Sequence, residues 1–260
     1  MSLPAVAEPR ADILAVEEPL EIRVDGTPLT VTMRTPGDDL DLAAGFLFTE
    51  GLLRSLAEVR EIRMCDSNVA AVTLVRNGQV LPAPNRRFLM TSACGVCGKD
   101  SIDAIRTRSA FDVTADDVRV RAPVLASLPG RLRGAQKVFA STGGLHAAGL
   151  FTATGDLVAL REDVGRHNAV DKIAGWALRS GRVPLNGCVL LVSGRASFEL
   201  VQKALMLGVP VLAAVSAPSS LAVALADEGG MTLAGFVRGQ TMNIYTGERR
   251  IALQPQQVSL

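Results

Sequence analysis

Two continuous apolar runs in the second half of the chain limit its fold more than any other feature. Cys188–Val192 and Val211–Val215 contain no charged residue and no apolar–polar alternation, which is typical of strands buried on both faces. A helical pattern at Glu199–Leu207 separates these two runs. A second helical pattern at Leu221–Ala226 leads to another strand pattern at Thr232–Val237. This alternation of strands and helices predicts right-handed crossovers and a parallel sheet with flanking helices.

The middle of the chain adds further elements to this predicted α/β domain. Val124–Phe139 predicts a helix that is interrupted at Pro129-Gly130. Leu145–Phe151 and Leu157–Leu160 predict two short strands, and residues 166–178 predict a helix with one apolar face.

The N-terminal part of the chain predicts a smaller α+β domain. Alternating apolar residues on either side of Asp25-Gly26 predict a β-hairpin, and Asp38-Asp39 can cap the helical pattern that follows. Two more strand patterns lie at Val59–Met64 and Val69–Val75. We therefore expect three regions: a loose tail over residues 1–17, a small α+β domain over residues 18–112, and an α/β domain over residues 113–260.

Charge and hydropathy argue against nucleic-acid and membrane partners. The chain has 27 Lys and Arg against 26 Asp and Glu, a net charge of +1, whereas nucleic-acid-binding proteins usually carry a basic excess. Ala204–Ala226 contains no charge and is long enough to span a bilayer. Gly208, Pro210 and Pro218 divide this stretch into shorter elements, so we expect a soluble protein.

The cysteines indicate a cytoplasmic location. The N-terminus lacks the basic region and the continuous apolar core of a signal peptide, and structural disulfides are rare in the reducing cytosol. Cys65 and Cys188 lie in strand patterns and are expected to be small core residues. The close pair of Cys94 and Cys97 is a candidate for thiol or metal chemistry.

The Cys94–Cys97 pair has a setting that favours reactive thiols. Gly95 and Gly98 flank the pair and leave room for access, while a helical pattern begins just after Lys99. A helix N-terminus and a nearby ammonium both favour the thiolate, which is the species that attacks sulfur.

Four interpretations of this cysteine pair are open on its residues alone. A thioredoxin-type exchanger would place the pair after the first strand of a βαβ unit, and this pair follows much other structure. A zinc site would need two more ligands, and His146 and His167 are the only histidines. Two inert, buried thiols are disfavoured by the small flanking residues. A sulfur carrier would hold a persulfide on one cysteine and use the other to release or protect it.

Four segments of the chain match motifs of a known family. They are Cys94-Gly95-Val96-Cys97-Gly98-Lys99, residues 161–172 (REDVGRHNAVDK), Ser193-Gly194-Arg195 with Phe198-Glu199, and residues 235–239 (GFVRG) followed by residues 242–245 (MNIY). Together, and in this order, they resemble the FdhD family of accessory sulfurtransferases for formate dehydrogenase. The resemblance covers residues 18 to 250 approximately, and the combination is far more specific than a lone C-x-x-C motif.

The resemblance implies a fold, a reaction and a set of site residues. It implies a cytidine-deaminase-like C-terminal domain, with a mixed, largely parallel sheet. It implies that a cysteine desulfurase passes sulfur to Cys94, which becomes the persulfide, with Cys97 as helper. It also implies that the protein binds the molybdenum bis(molybdopterin guanine dinucleotide) cofactor and places sulfur on the metal before insertion into formate dehydrogenase. The cofactor-binding segment of the family corresponds to Phe236, Val237, Arg238, Gly239, Gln240 and Thr241.

The residues themselves suggest where a nucleotide cofactor could bind. Ser193-Gly194-Arg195 and residues 216–220 follow buried strands and precede helices, where backbone N–H groups bind phosphates. Arg195 and Arg238 could clamp a pyrophosphate. His167 could contact the cofactor or cap its own helix. Further candidates are the turn at residues 142–144 and the carboxylates of Glu162 and Asp163, which could bind a guanine edge or pair with Arg161 and Arg166.

The implied fold also raises the possibility of a zinc deaminase, which the ligand inventory argues against. That chemistry needs H-x-E and P-C-x-x-C motifs at two helix starts. Residues 167–169 read HNA, so the acid–base glutamate is absent, and residues 193–197 contain no cysteine. We expect no zinc and favour a sulfur carrier, with a cofactor-binding chaperone that performs no covalent sulfur transfer as the alternative. The two guanine halves of the cofactor make a homodimer the expected assembly.

Overall fold

A five-stranded sheet and one helix form the N-terminal part of the computed structural model, which describes residues 11–75, 88–89 and 109–253. Residues 11–17 form neither helix nor strand. The strands are β1 (Glu18–Val24), β2 (Thr27–Arg34), β3 (Val59–Asp66), β4 (Val69–Leu74) and β5 (Phe88–Leu89), in the spatial order β3-β4-β1-β2-β5.

The β1–β2 hairpin confirms the turn predicted at Asp25-Gly26. Both residues have positive φ angles, 47° for Asp25 and 81° for Gly26, as a tight two-residue turn requires. Leu20 and Ile22 of β1 are fully buried, which fixes the face that the hairpin presents to the core.

The first helix, α1 (Asp39–Thr49), does not use the side-chain cap that the sequence predicts. Asp38 precedes the helix with a φ of 57°, and its carboxylate accepts no hydrogen bond from the first turn. That carboxylate instead lies 3.3 Å from Nε of Arg161, so an ion pair to another part of the chain has displaced the local cap.

A six-stranded mixed sheet forms the centre of the second part. Its three central strands are parallel, as the apolar runs predict, and the outer three are antiparallel to their neighbours. The strands are β7 (His146–Thr152), β8 (Leu157–Asp163), β9 (Cys188–Val192), β10 (Val211–Ala214), β11 (Thr232–Arg238) and β12 (Thr241–Thr246), in the order β12-β11-β10-β9-β7-β8, with β6 (Val120–Arg121) and β13 (Ile251–Ala252) pairing separately.

Among the described residues, five helices pack around this sheet, and the first of them differs from the prediction. The sequence predicts an interruption at Pro129-Gly130, but the helix continues through Pro129. The helical backbone is interrupted at Gln136 instead. Leu125, Leu128 and Leu132 are fully buried along one face, so packing outweighs the cost of an internal proline. The helices are α2 (Ala122–Ala135), α3 (Lys137–Thr142), α4 (Arg166–Arg179), α5 (Phe198–Met206) and α6 (Ser220–Glu228).

Helices α1 and α4 join the two parts of the chain through a very close crossing. A Cβ atom added to Gly45 of α1 would lie 1.8 Å from the carbonyl oxygen of Asp171, and one added to Gly175 of α4 would lie 1.8 Å from that of Asp41. Ala44 and Phe48 of α1 are buried in the same apolar cluster as α4. The two glycines therefore allow the helix backbones to touch.

Two buried ion pairs lie beside this crossing. Nζ of Lys203 is 2.8 Å from Oδ1 of Asp171 and donates to the Thr49 hydroxyl at 2.9 Å. Burial by itself would lower the pKa of Lys203, but the carboxylates of Asp171 and Glu50 outweigh it and raise that pKa, so the ammonium stays charged. The second pair joins Lys172 to Asp163 at 2.8 Å. The first pair links α4 to α5 and, through Thr49, to α1, whereas the second joins the end of β8 to α4, the helix that follows it.

The uncharged stretch from residue 204 to 226 is divided as predicted. It comprises the end of α5, strand β10 and most of α6. Among the described residues, no helix is both long and apolar enough to cross a membrane. The domain boundary placed at residues 112–113 and the tail over residues 1–17 stay predictions.

Candidate functional site

The carboxyl ends of β9, β10 and β11 bring three loops together. The Ser216 amide donates to the Gly194 carbonyl at 3.2 Å, and the Phe236 amide donates to the Ser216 carbonyl at 3.2 Å. A further bond runs from the Ala196 amide to the Ala217 carbonyl at 3.2 Å. These bonds continue the parallel pairing beyond the strands, so residues predicted from separate motifs lie along one edge of the sheet.

Ser193 is held where β7 and β9 diverge. Its amide donates to the Ala147 carbonyl at 3.0 Å, and its hydroxyl oxygen accepts from the Ala147 amide at 2.9 Å. Because the hydroxyl accepts in this contact, its hydrogen is available to a ligand. Gly194 follows, and a Cβ at that position would lie 3.4 Å from Nδ1 of His146. The loop and the histidine are therefore in contact.

His146 lines the same edge and is neutral near pH 7. Burial is the main cause that lowers its pKa, and the electrostatic effects of Arg166 and His167 lower it further. Asp163 opposes the shift with a smaller effect. A neutral imidazole can both donate and accept a hydrogen bond, which suits it to a polar ligand.

His167 connects two helices instead of capping its own. Its Nε2 lies 2.9 Å from Oε2 of Glu199 and 3.3 Å from the Ser197 hydroxyl. The residue is 7% exposed, and Gly165, at the cap position of α4, makes no side-chain cap. These contacts tie the start of α4 to the start of α5, beside the Ser193–Arg195 loop.

The segment at residues 236–241 comprises the end of β11, the exposed turn at Gly239 and Gln240, and the first residue of β12. Phe236 has a φ of 52° at an irregularity in the strand pairing, and the Arg238 guanidinium lies 5.9 Å from its ring centre. Val237 is fully buried, so only its backbone faces a ligand. Thr241 donates to the Arg238 carbonyl at 3.2 Å. The other candidates here, Gly239 and Gln240, are exposed, as is Arg195 on the neighbouring loop.

The carboxylates of Glu162 and Asp163, whose partners the sequence does not determine, bind other parts of the protein. Glu162 accepts from the amides of Val138 and Phe139 at 3.1 and 2.8 Å, which caps α3. Asp163 pairs with Lys172 and accepts from the Gly165 amide at 2.8 Å. Both carboxylates are thus engaged by partners other than the arginines considered in the sequence.

A cavity of about 710 Å³ opens at this edge, between the sheet and the α2–α3 region. That volume is in the range of small-molecule sites. Its described wall is apolar except for a few polar groups, and none of its residues is acidic. The lining residues are Pro129, Leu132, Arg133, Gln136, Phe139, Gly143, Gly144, Leu145, His146, Ser193 and Val215. Sequence motifs pointed to His146, Ser193 and the two glycines, but to no residue of α2.

The predicted persulfide cysteine Cys94 and its helper Cys97 lie outside the described residues. Of the other two cysteines, Cys188 is half-buried, and burial raises the pKa of its thiol. Cys65 is exposed on the edge strand β3, so its prediction as a core residue is wrong. The reason is that the alternation of β3 places this position on the open face of the strand.

A protein metal site requires several ligand side chains to lie close together. Within residues 11–75, 88–89 and 109–253, no three His, Cys, Asp or Glu side chains cluster so that they could hold a metal ion. The expectation of no zinc stays a prediction, since the Cys94–Cys97 pair lies outside these ranges.

The pKa of His146 gives a direct test of this electrostatic description. Replacing Arg166 with glutamine removes a positive charge and is expected to raise the pKa of His146 toward its ordinary value of 6.5. In the unchanged protein, the His146 imidazole binds its second proton less tightly in the folded state than in the unfolded state, because the pKa is lowered by folding. The contribution of His146 to stability is therefore complete above pH 6.5 and is lost as the pH falls through the lowered pKa.

Proton NMR of the imidazoles can measure this pKa, because the chain contains only two histidines. An Arg182→Gln variant serves as the control, since Arg182 is not among the groups that shift His146. A pKa for His146 at or above 6.5 in the unchanged protein would contradict the description.

Comparisons with known proteins identify relatives along almost the whole chain. The model of the FdhD/NarQ family matches residues 15–252. The sulfur carrier protein FdhD of Streptomyces avermitilis is 60% identical over 258 residues, covering 94% of this chain and 91% of that protein. Proteins of the same name from Nocardia farcinica and Sulfolobus acidocaldarius are 56% and 46% identical. Each alignment covers 93% of this chain, and 89% and 92% of the respective relative.

A solved structure has the same fold. The crystal structure of a protein described as a formate dehydrogenase accessory protein, from Desulfotalea psychrophila, matches with a TM-score of 0.74 at 26% identity. The match covers 93% of this chain and 91% of the other. The predicted α/β fold class is confirmed by this match.

Proposed function

This chain belongs to the FdhD/NarQ family, and on that premise we propose that it is a sulfur carrier serving formate dehydrogenase. The observation that carries the proposal is its 60% identity, over 94% of the chain, to a protein named sulfur carrier protein FdhD. A cysteine desulfurase is the proposed donor. The molybdenum bis(molybdopterin guanine dinucleotide) cofactor is the proposed acceptor, on its way to the formate dehydrogenase apoprotein.

Cys94 is the proposed carrier of the sulfur atom. Its thiolate attacks the outer sulfur of the desulfurase persulfide, the S–S bond of the donor breaks, and the donor cysteine leaves as a thiolate. The product is a persulfide on Cys94, and no external oxidant or reductant is consumed. The flanking glycines and Lys99 support this role because they favour an accessible thiolate.

Cys97 is the proposed helper in release. Attack of its thiolate on the inner sulfur of the Cys94 persulfide forms a Cys94–Cys97 disulfide and expels hydrosulfide. Hydrosulfide carries sulfur in the reduced form that a molybdenum centre takes as a ligand. A dithiol reductant then returns the disulfide to two thiols, which completes the cycle with electrons balanced.

The carboxyl edge of the sheet is the proposed binding place for the nucleotide halves of the acceptor. The segment at residues 236–241 and the Ser193–Arg195 loop offer backbone amides and two exposed guanidinium groups, those of Arg195 and Arg238. His167 supports the second loop through its contacts to Ser197 and Glu199. We also propose a homodimer, one copy for each guanine half, which light scattering on the purified chain would measure.

The proposal is tested by loading the full chain with sulfur. Incubation with a cysteine desulfurase and cysteine is expected to add the mass of one sulfur atom, and a thiol reductant should remove it. Intact mass spectrometry measures the change, and fragment masses locate it at Cys94. A chain that stays unmodified, while a known acceptor in the same mixture is loaded, contradicts the proposal.

A second candidate is a cofactor-binding chaperone that performs no covalent sulfur transfer. The large cavity at the sheet edge favours it, since binding there needs no thiol from the described wall. Under this alternative, a variant without both Cys94 and Cys97 would still support an active formate dehydrogenase.

A further inference from the structure

The end of β2 is bound to the junction of β8 and α4 by a group of polar side chains. Asn168 donates from Nδ2 to the Met33 carbonyl at 2.7 Å, and its Oδ1 accepts from the Thr32 hydroxyl at 3.3 Å. Nζ of Lys172 donates to the Thr35 carbonyl at 2.8 Å. We call this group the clamp, and its members are residues 32–35, Asp163, Asn168 and Lys172.

Thr35 uses its amide and its hydroxyl in the clamp as well as its carbonyl. The amide donates to Oδ2 of Asp163 at 3.1 Å, and the hydroxyl oxygen accepts from the Val164 amide at 3.1 Å. Nδ2 of Asn168 also lies 3.0 Å from Oδ1 of Asp163, so the bonds form one connected network. Asp163, Asn168 and Lys172 are each at most 6% exposed. Removing one of these partners therefore leaves a buried polar group unpaired.

One side of the clamp leads to the part of the chain that carries the close cysteine pair. Strand β5 pairs in parallel with β2, with Leu89 opposite Val31, directly before the clamp. Cys94 follows Leu89 by five residues in the sequence. Five residues span at most about 18 Å, so the position of β5 limits how far from the clamp Cys94 can lie.

The other side of the clamp leads to the carboxyl edge of the six-stranded sheet. His167 directly precedes Asn168 and contacts the Ser197 hydroxyl and the Glu199 carboxylate at the start of α5. The Ser193–Arg195 loop, which is part of the proposed acceptor site, comes directly before these residues in the chain. The clamp therefore fixes β2, and with it β5, relative to the edge of the sheet.

We propose that Asn168 is a positioning residue for sulfur delivery, which through β2 and β5 holds the cysteine-bearing chain at the distance from the sheet edge that transfer to the acceptor requires. This inference rests on the proposed function. Fixing two reacting groups in the correct geometry contributes orders of magnitude to a rate, so a small displacement is enough to slow delivery. Loading is different, because the desulfurase is a separate protein that approaches from solvent. The clamp should therefore matter for delivery and not for loading.

The test compares loading with delivery in the full chain. Asn168→Leu keeps the approximate volume of the side chain and removes every hydrogen bond of the amide. Loading by a cysteine desulfurase, measured as the gain of one sulfur atom in intact mass, is expected to equal that of the unchanged chain. Formate oxidation by dehydrogenase matured in cells that carry the variant is expected to fall by about tenfold or more, relative to the amount of folded chain.

Val211→Ala is the control for a loss of stability alone. Val211 is fully buried and begins β10, at the end of that strand opposite to the carboxyl edge. This variant should also be less stable than the unchanged chain, because it leaves a cavity in the core. Its delivery and loading are expected to remain equal to each other.

Thr35 supplies a second comparison that disturbs the clamp less. Thr35→Val removes the hydroxyl that accepts from the Val164 amide, whereas Thr35→Ser retains it. Delivery per loaded chain is expected to fall in the valine variant and to be retained in the serine variant. This pair decides the question if Asn168→Leu does not fold.

The outcomes separate this inference from the proposed function. Normal loading with reduced delivery in Asn168→Leu, without such a difference in Val211→Ala, supports the positioning role. Unchanged delivery, equal losses of loading and delivery, or the same selective loss in Val211→Ala would overturn it and leave the sulfur-carrier proposal standing. If the unchanged chain accepts no sulfur, the proposed function fails, and this inference fails with it.

Discussion

Replacing Cys94 with serine is expected to abolish sulfur loading and the activation of formate dehydrogenase. A hydroxyl is a far weaker nucleophile than a thiolate at neutral pH and cannot form a persulfide. Serine is close to cysteine in size, so we expect the fold to be retained. Loading is measured as the gain of one sulfur atom in intact mass, and activation as formate oxidation by dehydrogenase matured in cells that carry the variant.

Cys188→Ser is the matched control for this experiment. Burial raises the pKa of the Cys188 thiol, and Asp116 raises it further, so this cysteine stays protonated and is expected to carry no sulfur. Its serine variant should load and activate like the unchanged chain. An active dehydrogenase in cells with Cys94→Ser would exclude the persulfide mechanism and favour the chaperone alternative.

Replacing Gly175 with alanine is expected to destabilise the whole protein. The added methyl group would lie 1.8 Å from the Asp41 carbonyl oxygen, and a backbone atom of a packed helix cannot rotate away. The helices must separate, which also disturbs the Asp171–Lys203 pair beside them. We expect a loss of about 3 kcal/mol or more, a large part of the stability of a typical domain. The unfolding temperature should fall by roughly 6–12 °C.

Gly134→Ala provides the matched control for the helix crossing. Gly134 lies in helix α2, and a Cβ there would meet nothing within 4 Å. Alanine has the higher helix propensity, so the unfolding temperature should stay equal or rise, by no more than the equivalent of about 1 kcal/mol. Thermal unfolding followed by circular dichroism compares the two variants. A Gly175→Ala protein as stable as the control would show that the crossing tolerates a methyl group.

The elements that the sequence predicts well are those whose pattern repeats within the element. The apolar runs of β9 and β10 and the hairpin at Asp25-Gly26 need only local information, and the structure confirms both. The errors arise where a distant residue decides the local structure. Asp38 does not cap α1 because Arg161 attracts its carboxylate, and α2 passes Pro129 because its leucines are buried in the core. Strand β12 was not predicted, although Met242 and Ile244 alternate with polar residues and pack against the core.

The sequence predicts the parts of the candidate site that lie at strand ends, but not the part contributed by helix α2 and Gln136. The loop at Ser193 follows β9 and the segment beginning at Phe236 lies at the end of β11, so their position at one edge of the sheet follows from topology. Gln136 carries no such signal, because a single glutamine within the helical pattern of Val124–Phe139 resembles a surface residue. Only its burial and its place in the cavity wall distinguish it, and both depend on tertiary packing.

The close crossing of α1 and α4 also limits how the gene can change. Each glycine accommodates the backbone of the opposite helix. A larger residue at Gly45 or Gly175 therefore requires the opposite helix to move away. The first and second parts of the chain must therefore vary in concert, and hybrids that combine halves from distant relatives should fold only when both helices come from the same parent.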